Sequence, residues 1–196
     1  MTIDYLKHIT KEQINELPMH EYRGKIIVIE TFEGALKAIA LLLKEKILGF
    51  DTETRPSFQK GEVYQVSLLQ LATEDCAYLF RLNKIPFPKE LTQILSNANI
   101  IKAGVGIRDD IKGFQKLHAF EPQGFVDLSH EAGNLGFTSF GLRALTGIFL
   151  GERLSKAAKV TNWENMHLTP AQIKYAASDA YVGLKIFEKI MELKKA

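Results

Sequence analysis

Apolar residues follow two rhythms along this chain. GKIIVIE (24–30) strings β-branched residues together and predicts a strand, after which FEGALKAIALLLKEK (32–46) changes to helical spacing. ILGFDTE (47–53) is a short apolar run suited to a buried strand, and Pro56 and Gly61 mark a loop after it. VYQVSLLQLAT (63–73) and CAYLFRL (76–82) predict further strands with short connections, so the early sheet is expected to be antiparallel, three strands side by side.

Strand and helix then alternate. KELTQILSNA (89–98) has helical spacing, IIKAGVGI (100–107) predicts a strand and RDDIKGFQKLH (108–118) a helix. FVDLSHEAG (125–133) is expected to be a shorter strand or extended segment. TSFGLRALTGIFL (138–150) reads as a helix capped by Thr138 or Ser139. The final stretch, 169–195, predicts one long helix, with Thr169 and Gln172 spaced as a capping box and Pro170 at the first helical position. The sum is a mixed α/β domain over 23–196, with residues 1–22 as a small N-terminal appendage.

A length of 196 residues suits one core, and 46% hydrophobic with 24% charged residues excludes disordered and fibrous classes. Net charge +2 tolerates a polyanionic partner without requiring one. Cys76, the only cysteine, rules out an internal disulfide or a multi-cysteine zinc site and suits a reducing, cytoplasmic setting. No stretch reaches the roughly 18 uninterrupted apolar residues of a membrane span, and the first residues lack the apolar core of a signal peptide, so no membrane partner is expected.

The candidate chemistry is acidic. Alternate strand residues share a face, so Asp51 and Glu53 present two carboxylates together while Thr52 turns away. Such a pair repels itself unless a cation compensates, and hard divalent ions take oxygen ligands of this kind. Tyr175 and Asp179 stand one helical turn apart and face the same side. Asp109 and Asp110 follow a GVGI turn at a helix start. Each signal alone has a plain structural explanation: a solvated strand end, a core tyrosine beside a surface acid, and carboxylates satisfying free helix N–H groups. Gly104 and Gly106 open a dinucleotide fingerprint, but the third glycine is missing and Asp109 would repel a pyrophosphate, which leaves a tight strand-to-helix turn. His118, His130 and His167 have no zinc-like spacing, and Asp127 reads as structural. Leu69 and Phe114 default to core packing, and Trp163 to bracing its segment.

Taken in order, FDTET (50–54), KAGVGIRDDIKGFQKL (102–117) and YAASDAYVGLKIF (175–187) resemble the three motifs of the DEDDy-type 3′ to 5′ exonucleases, the branch of the four-carboxylate superfamily that includes RNase D and the Werner syndrome helicase exonuclease domain. The likeness runs from about residue 26 to about 193. It implies a ribonuclease-H-like mixed sheet, antiparallel strands first and then parallel, flanked by helices. It implies Asp51, Glu53, Asp110 and Asp179 as ligands of two divalent cations, Mg2+ or Mn2+, with Asp110 favoured over Asp109, and Tyr175 as the group that positions water. The implied reaction is phosphodiester hydrolysis at the 3′ end of single-stranded or 3′-ended DNA or RNA, releasing nucleoside 5′-monophosphates. Lys156 and Lys159, in LSKAAKVTNW (154–163), are candidate phosphate contacts, with solvated loop lysines as the alternative reading. The competing function is a nucleic-acid-binding module that keeps the fold without turnover. Protein partners are not readable from the residues.

Overall fold

The computed structural model describes residues 5–59 and 61–195. Six strands form one sheet in the order β1-β4-β3-β2-β5-β6: β1 (Lys25–Ile29), β2 (Ile47–Thr54), β3 (Val66–Ala72), β4 (Cys76–Arg81), β5 (Ile101–Gly104) and β6 (Phe125–Asp127). β2, β3 and β4 are antiparallel neighbours, as the short connections between them dictate, while β5 and β6 continue the sheet in parallel on the other side of β2. β1 does not sit beside β2. It lies at the edge, parallel to β4, because α2 (Phe32–Leu42) carries the chain across the sheet between them.

One face of the sheet packs on α2, whose start is capped by the Thr31 hydroxyl, and on α4 (Arg108–Leu117). Here Leu48 and Phe50 of β2 meet Leu42 and Phe114, with Leu69 and Phe80 completing the core. Leu69 and Phe114 are both fully buried, in keeping with the core reading of each. Burial of each such side chain contributes roughly 1.5–3 kcal/mol.

The other face carries α7 (Pro170–Lys195), together with α5 (Leu128–Asn134) and α6 (Leu142–Leu150). Thr169 and Gln172 form the expected capping box: the Gln172 N–H donates to the Thr169 hydroxyl at 3.2 Å and the Thr169 N–H to the Gln172 side chain at 3.0 Å. Ala176, Ala180 and Gly183 recur at helical spacing, and this strip of small residues lets α7 lie against the backbone of β2 and β5. A Cβ at Gly183 would stand 2.9 Å from the Ala103 carbonyl oxygen.

Three local expectations change. The segment 125–133 is a strand only to Asp127, whose carboxylate accepts the Ser129 N–H at 2.9 Å and starts α5, so Asp127 has the structural role expected of it. Neither Thr138 nor Ser139 caps α6, which begins after Gly141 without a side-chain cap. Their hydroxyls are taken by the N-terminal segment: Ser139 accepts the Ile9 N–H and Thr138 donates to the Lys7 carbonyl. The helix expected over 89–98 is a 3-10 turn at Lys89–Leu91 followed by the short α3 (Thr92–Leu95). Gly106 takes φ +71, and a Cβ on Gly104 would meet the Phe50 carbonyl at 2.5 Å, as the tight strand-to-helix turn requires.

Residues ahead of β1 include α1 (Lys11–Glu16), which places Ile9 and Ile14 against Gly147 of α6. No helix among the described residues is long and apolar enough to cross a membrane.

Candidate active site

β2 is the seam of the sheet, antiparallel to one neighbour and parallel to the other. Its side chains alternate accordingly. Phe50 packs toward α4 and Gly49 faces α7, so Asp51 and Glu53 fall on the α7 side while Thr52 turns toward α4. The ladder between β2 and β3 shifts register between Glu53 and Thr54, and the strand ends there.

Asp51, Glu53, Tyr175 and Asp179 line one cavity of about 430 Å3, together with Thr52, Leu142, Arg143 and Lys159. Of the two candidate lysines, Lys159 lines it and Lys156 does not, although both are exposed. Asp110 stands apart from that lining. Its carboxylate accepts the Thr52 hydroxyl from the α4 side of the strand, and Asp109 beside it is exposed and paired with Lys112 at 3.1 Å. Among the described residues no three His, Cys, Asp or Glu side chains are already gathered around a single point where an ion would sit.

The electrostatics of the cluster are dominated by burial, to which the mutual repulsion of the acids adds. Burial, followed by the charges of Asp51, Asp179 and Asp110, pushes the Glu53 carboxyl up to about 9. Burial, together with the charge of Asp110, raises Asp51 to about 7 even though its carboxylate accepts the Thr52 N–H at 2.8 Å. Asp179 is 5% exposed and is held well above the usual carboxylate range by burial and by Asp51. Burial also raises Asp110. The Tyr175 phenol is pushed far above its ordinary range by burial and by its carboxylate neighbours Asp179 and Glu53, so it stays a neutral hydroxyl. Lys159 opposes the shifts of Asp51, Glu53 and Asp179, and Arg143 that of Asp179, but neither forms an ion pair with these acids.

The α6–α7 segment that carries Lys159 is pinned from below. Trp163 is fully buried on Leu68, Leu79 and Ala176, with its ring 6.0 Å from that of Tyr175, which is the bracing role expected of it. Arg81, also fully buried, donates to the Asn165 carbonyl, and the Gln172 amide to the Thr161 hydroxyl and the Asn162 carbonyl. Arg143 escaped the sequence reading. Nothing in LRALTGIF distinguishes a helix arginine aimed at a site from one in solvent, and only the fold sets it across from Asp179. His118, His130 and His167 are exposed.

A six-stranded mixed sheet with acids at the end of its central strand and a tyrosine–aspartate pair on the packed helix defines a nuclease-like α/β domain. Residues 26–194 match the 3′-5′ exonuclease family, and the chain belongs to that family. It is 32% identical over 191 residues to the mouse bifunctional 3′-5′ exonuclease/ATP-dependent helicase WRN, an alignment covering 91% of this chain and 14% of that protein. An Arabidopsis thaliana 3′-5′ exonuclease is 26% identical over 207 residues, covering 96% of this chain and 71% of the relative. The fold is shared with the Aedes aegypti Nibbler exonuclease domain (TM-score 0.82, 22% identity, 90% of this chain and 93% of that one). It is shared also with Escherichia coli RNase D (TM-score 0.80, 24% identity, 87% and 45%). The chain thus spans a small part of some of these relatives, and 14% of the mouse protein.

Proposed function

We propose that residues 23–196 form a metal-dependent 3′ to 5′ exonuclease domain, with 1–22 as its appendage, that removes nucleoside 5′-monophosphates one at a time from DNA or RNA 3′ ends. The observation that carries this reading is the gathering of the Asp51, Glu53 and Asp179 carboxyl groups around one cavity, none of them ion-paired with another described residue, beside a neutral Tyr175. All the donors are oxygens, which suits Mg2+ or Mn2+ and disfavours softer metals.

Asp51, Glu53 and Asp179 would hold the cations on the α7 side, with Asp110 reaching the same site from the α4 side once released from Thr52. Two such cations, when bound, stabilise the attacking and departing oxygens of an in-line phosphoryl displacement and make water a better nucleophile at neutral pH. Tyr175 offers a hydroxyl that stays protonated, so it can hold a water by hydrogen bonding without competing for its proton. Asp179, one helical turn along α7, would accept from that hydroxyl and set its direction. Glu53, the carboxylate most shifted toward the proton-holding form among those with a resolved value, would assist at the same water. Lys159 faces the acids and would meet the scissile phosphate, while Lys156 would contact the strand beyond it. One buried free cysteine, Cys76, is consistent with work in the cytoplasm.

Incubation of end-labelled DNA and RNA strands with the protein and Mn2+ or Mg2+ tests the reading. Mononucleotides should appear from the 3′ end, and Asp51→Asn should lower their release at least about 100-fold. Absence of release from either polymer, or full activity in Asp51→Asn, would overturn it.

A further inference from the structure

Gln70 lies in the middle of β3, fully buried, and neither end of its carboxamide has a hydrogen-bond partner among the described residues. Alternation along the strand sets its side chain on the α7 face: Leu69 and Leu71 belong to the core on the α2 and α4 side, while Leu68 and Ala72 cluster with Ala176, Ala177 and Ala180 of α7. Its cross-strand partners are Asp51 on β2 and Leu79 on β4. Opposite residues of an antiparallel pair project from the same face with Cβ atoms about 4.5–5.5 Å apart, so the carboxamide and the Asp51 carboxyl group are neighbours at the root of the acidic cluster.

A buried amide without partners is rare, because it has given up its bonds to water and received none in return. Stability alone would favour an apolar residue of the same size here. Of the residues that flank Gln70 on this face, Leu68, Ala72 and Leu79 have no polar side-chain atom, and only Asp51 carries a side-chain acceptor. The Trp163 indole N–H, also buried without a partner and clustered with Leu68 and Leu79, can only donate; it can use the carboxamide oxygen but not the NH2 group. Asp51 for its part accepts only from the N–H of Thr52, the next residue of its own strand. A donor from β3 would hold the carboxylate from the buried side, and such a bond is strongest when the acceptor carries its full charge, as a carboxylate holding a cation does.

We propose that Gln70 is a positioning residue for Asp51: its side-chain NH2 group donates to the Asp51 carboxylate when that carboxylate holds a cation, and so fixes the direction in which the acid presents its remaining lone pairs. The inference rests on the exonuclease reading for the cation and asks nothing of the nucleic acid. Gln70 acts only through Asp51.

Gln70→Met keeps the length of the side chain and removes its amide. The cation-free Tm should equal or exceed that of the unsubstituted protein, because an unpaired buried amide is lost, while the Kd for Mn2+, measured calorimetrically, should rise about tenfold. Defective packing would instead lower both stability and affinity. NMR of the unsubstituted protein reads the bond without any variant: on addition of Mg2+, a side-chain amide proton of Gln70 should move downfield and exchange more slowly with solvent. Unchanged Mn2+ affinity in Gln70→Met, a loss of affinity matched by a fall in cation-free Tm, or Gln70 amide signals that stay in place while the Asp51 backbone signal shifts would overturn the proposal and leave the exonuclease reading standing. Failure of the unsubstituted protein to bind either cation would overturn both.

Discussion

Gly49 of β2 and Ala180 of α7 are in backbone-to-backbone contact, so close that a Cβ on Gly49 would stand 1.9 Å from the Ala180 carbonyl oxygen. Asp51 follows Gly49 by two residues on the same face, and Asp179 precedes Ala180. The contact therefore sets the spacing between the two acids at its source, the backbones that carry them.

Replacing Gly49 by alanine forces α7 off the strand, because the obstacle is a carbonyl of the helix backbone and cannot rotate away. Gly49→Ala should cost about 3 kcal/mol or more and lower cation affinity as well. Chemical denaturation measures the first and Mn2+ titration the second. A variant with unchanged stability would show that the two elements are not in contact.

The raised carboxylates give a sign to the pH response. Asp51 moves from 3.8 to about 7 and Glu53 from 4.5 to about 9 in the cation-free fold, so the folded chain holds more protons than the unfolded one across that window. The stability these groups contribute is complete below their unfolded values and is lost as pH rises through the folded ones. Thermal melts without cations should show Tm falling between about pH 5 and about pH 9, with a shallower slope in Asp51→Asn. Added Mn2+ should raise Tm more at the alkaline end, where the acids are charged. A Tm that climbs across this window contradicts the burial of both groups.

Tyr175→Phe removes only the hydroxyl and keeps the ring beside Trp163. The variant should fold normally and bind Mn2+ comparably, with turnover reduced about 10- to 100-fold. Equal turnover in the phenylalanine variant would remove Tyr175 from the reaction.

Lys159 is the basic side chain that opposes the shifts of Asp51, Glu53 and Asp179 alike. Lys159→Ala should raise KM for an oligonucleotide about tenfold and flatten its dependence on salt, since one phosphate contact is lost. It should also lower cation-free stability at neutral pH, because the acids lose their counter-charge. Kinetics at two ionic strengths test the first outcome.

Much of the sheet was legible because β2, β3, β4 and β5 are short, apolar and bounded by clear breaks, and α7 announces itself through Thr169, Pro170 and Gln172. The position of β1 was not, since pairing with β4 rather than β2 is decided by where α2 crosses the sheet. α5 was hidden by Gly133 and by an N-cap, Asp127, that also ends a strand. In the site, alternation along β2 paired Asp51 with Glu53 and helical spacing along α7 paired Tyr175 with Asp179, while only the resemblance to the exonuclease motifs joined the two pairs, which line one cavity. These patterns could not reveal that Thr52 holds Asp110 on the opposite face or that Arg143 faces Asp179 from another helix. Those relations arise between elements far apart in the chain, where no periodicity carries the information.

The central strand is laced to neighbours on both edges, so its amide protons should be among the last to exchange with solvent, whereas Lys156 and Lys159 ride on a connection secured chiefly by Trp163, Arg81 and Gln172. Chemistry and grip are thereby mounted on separate mechanical parts. The lysine-bearing segment can be remodelled for a different strand without disturbing the acids that would cut it.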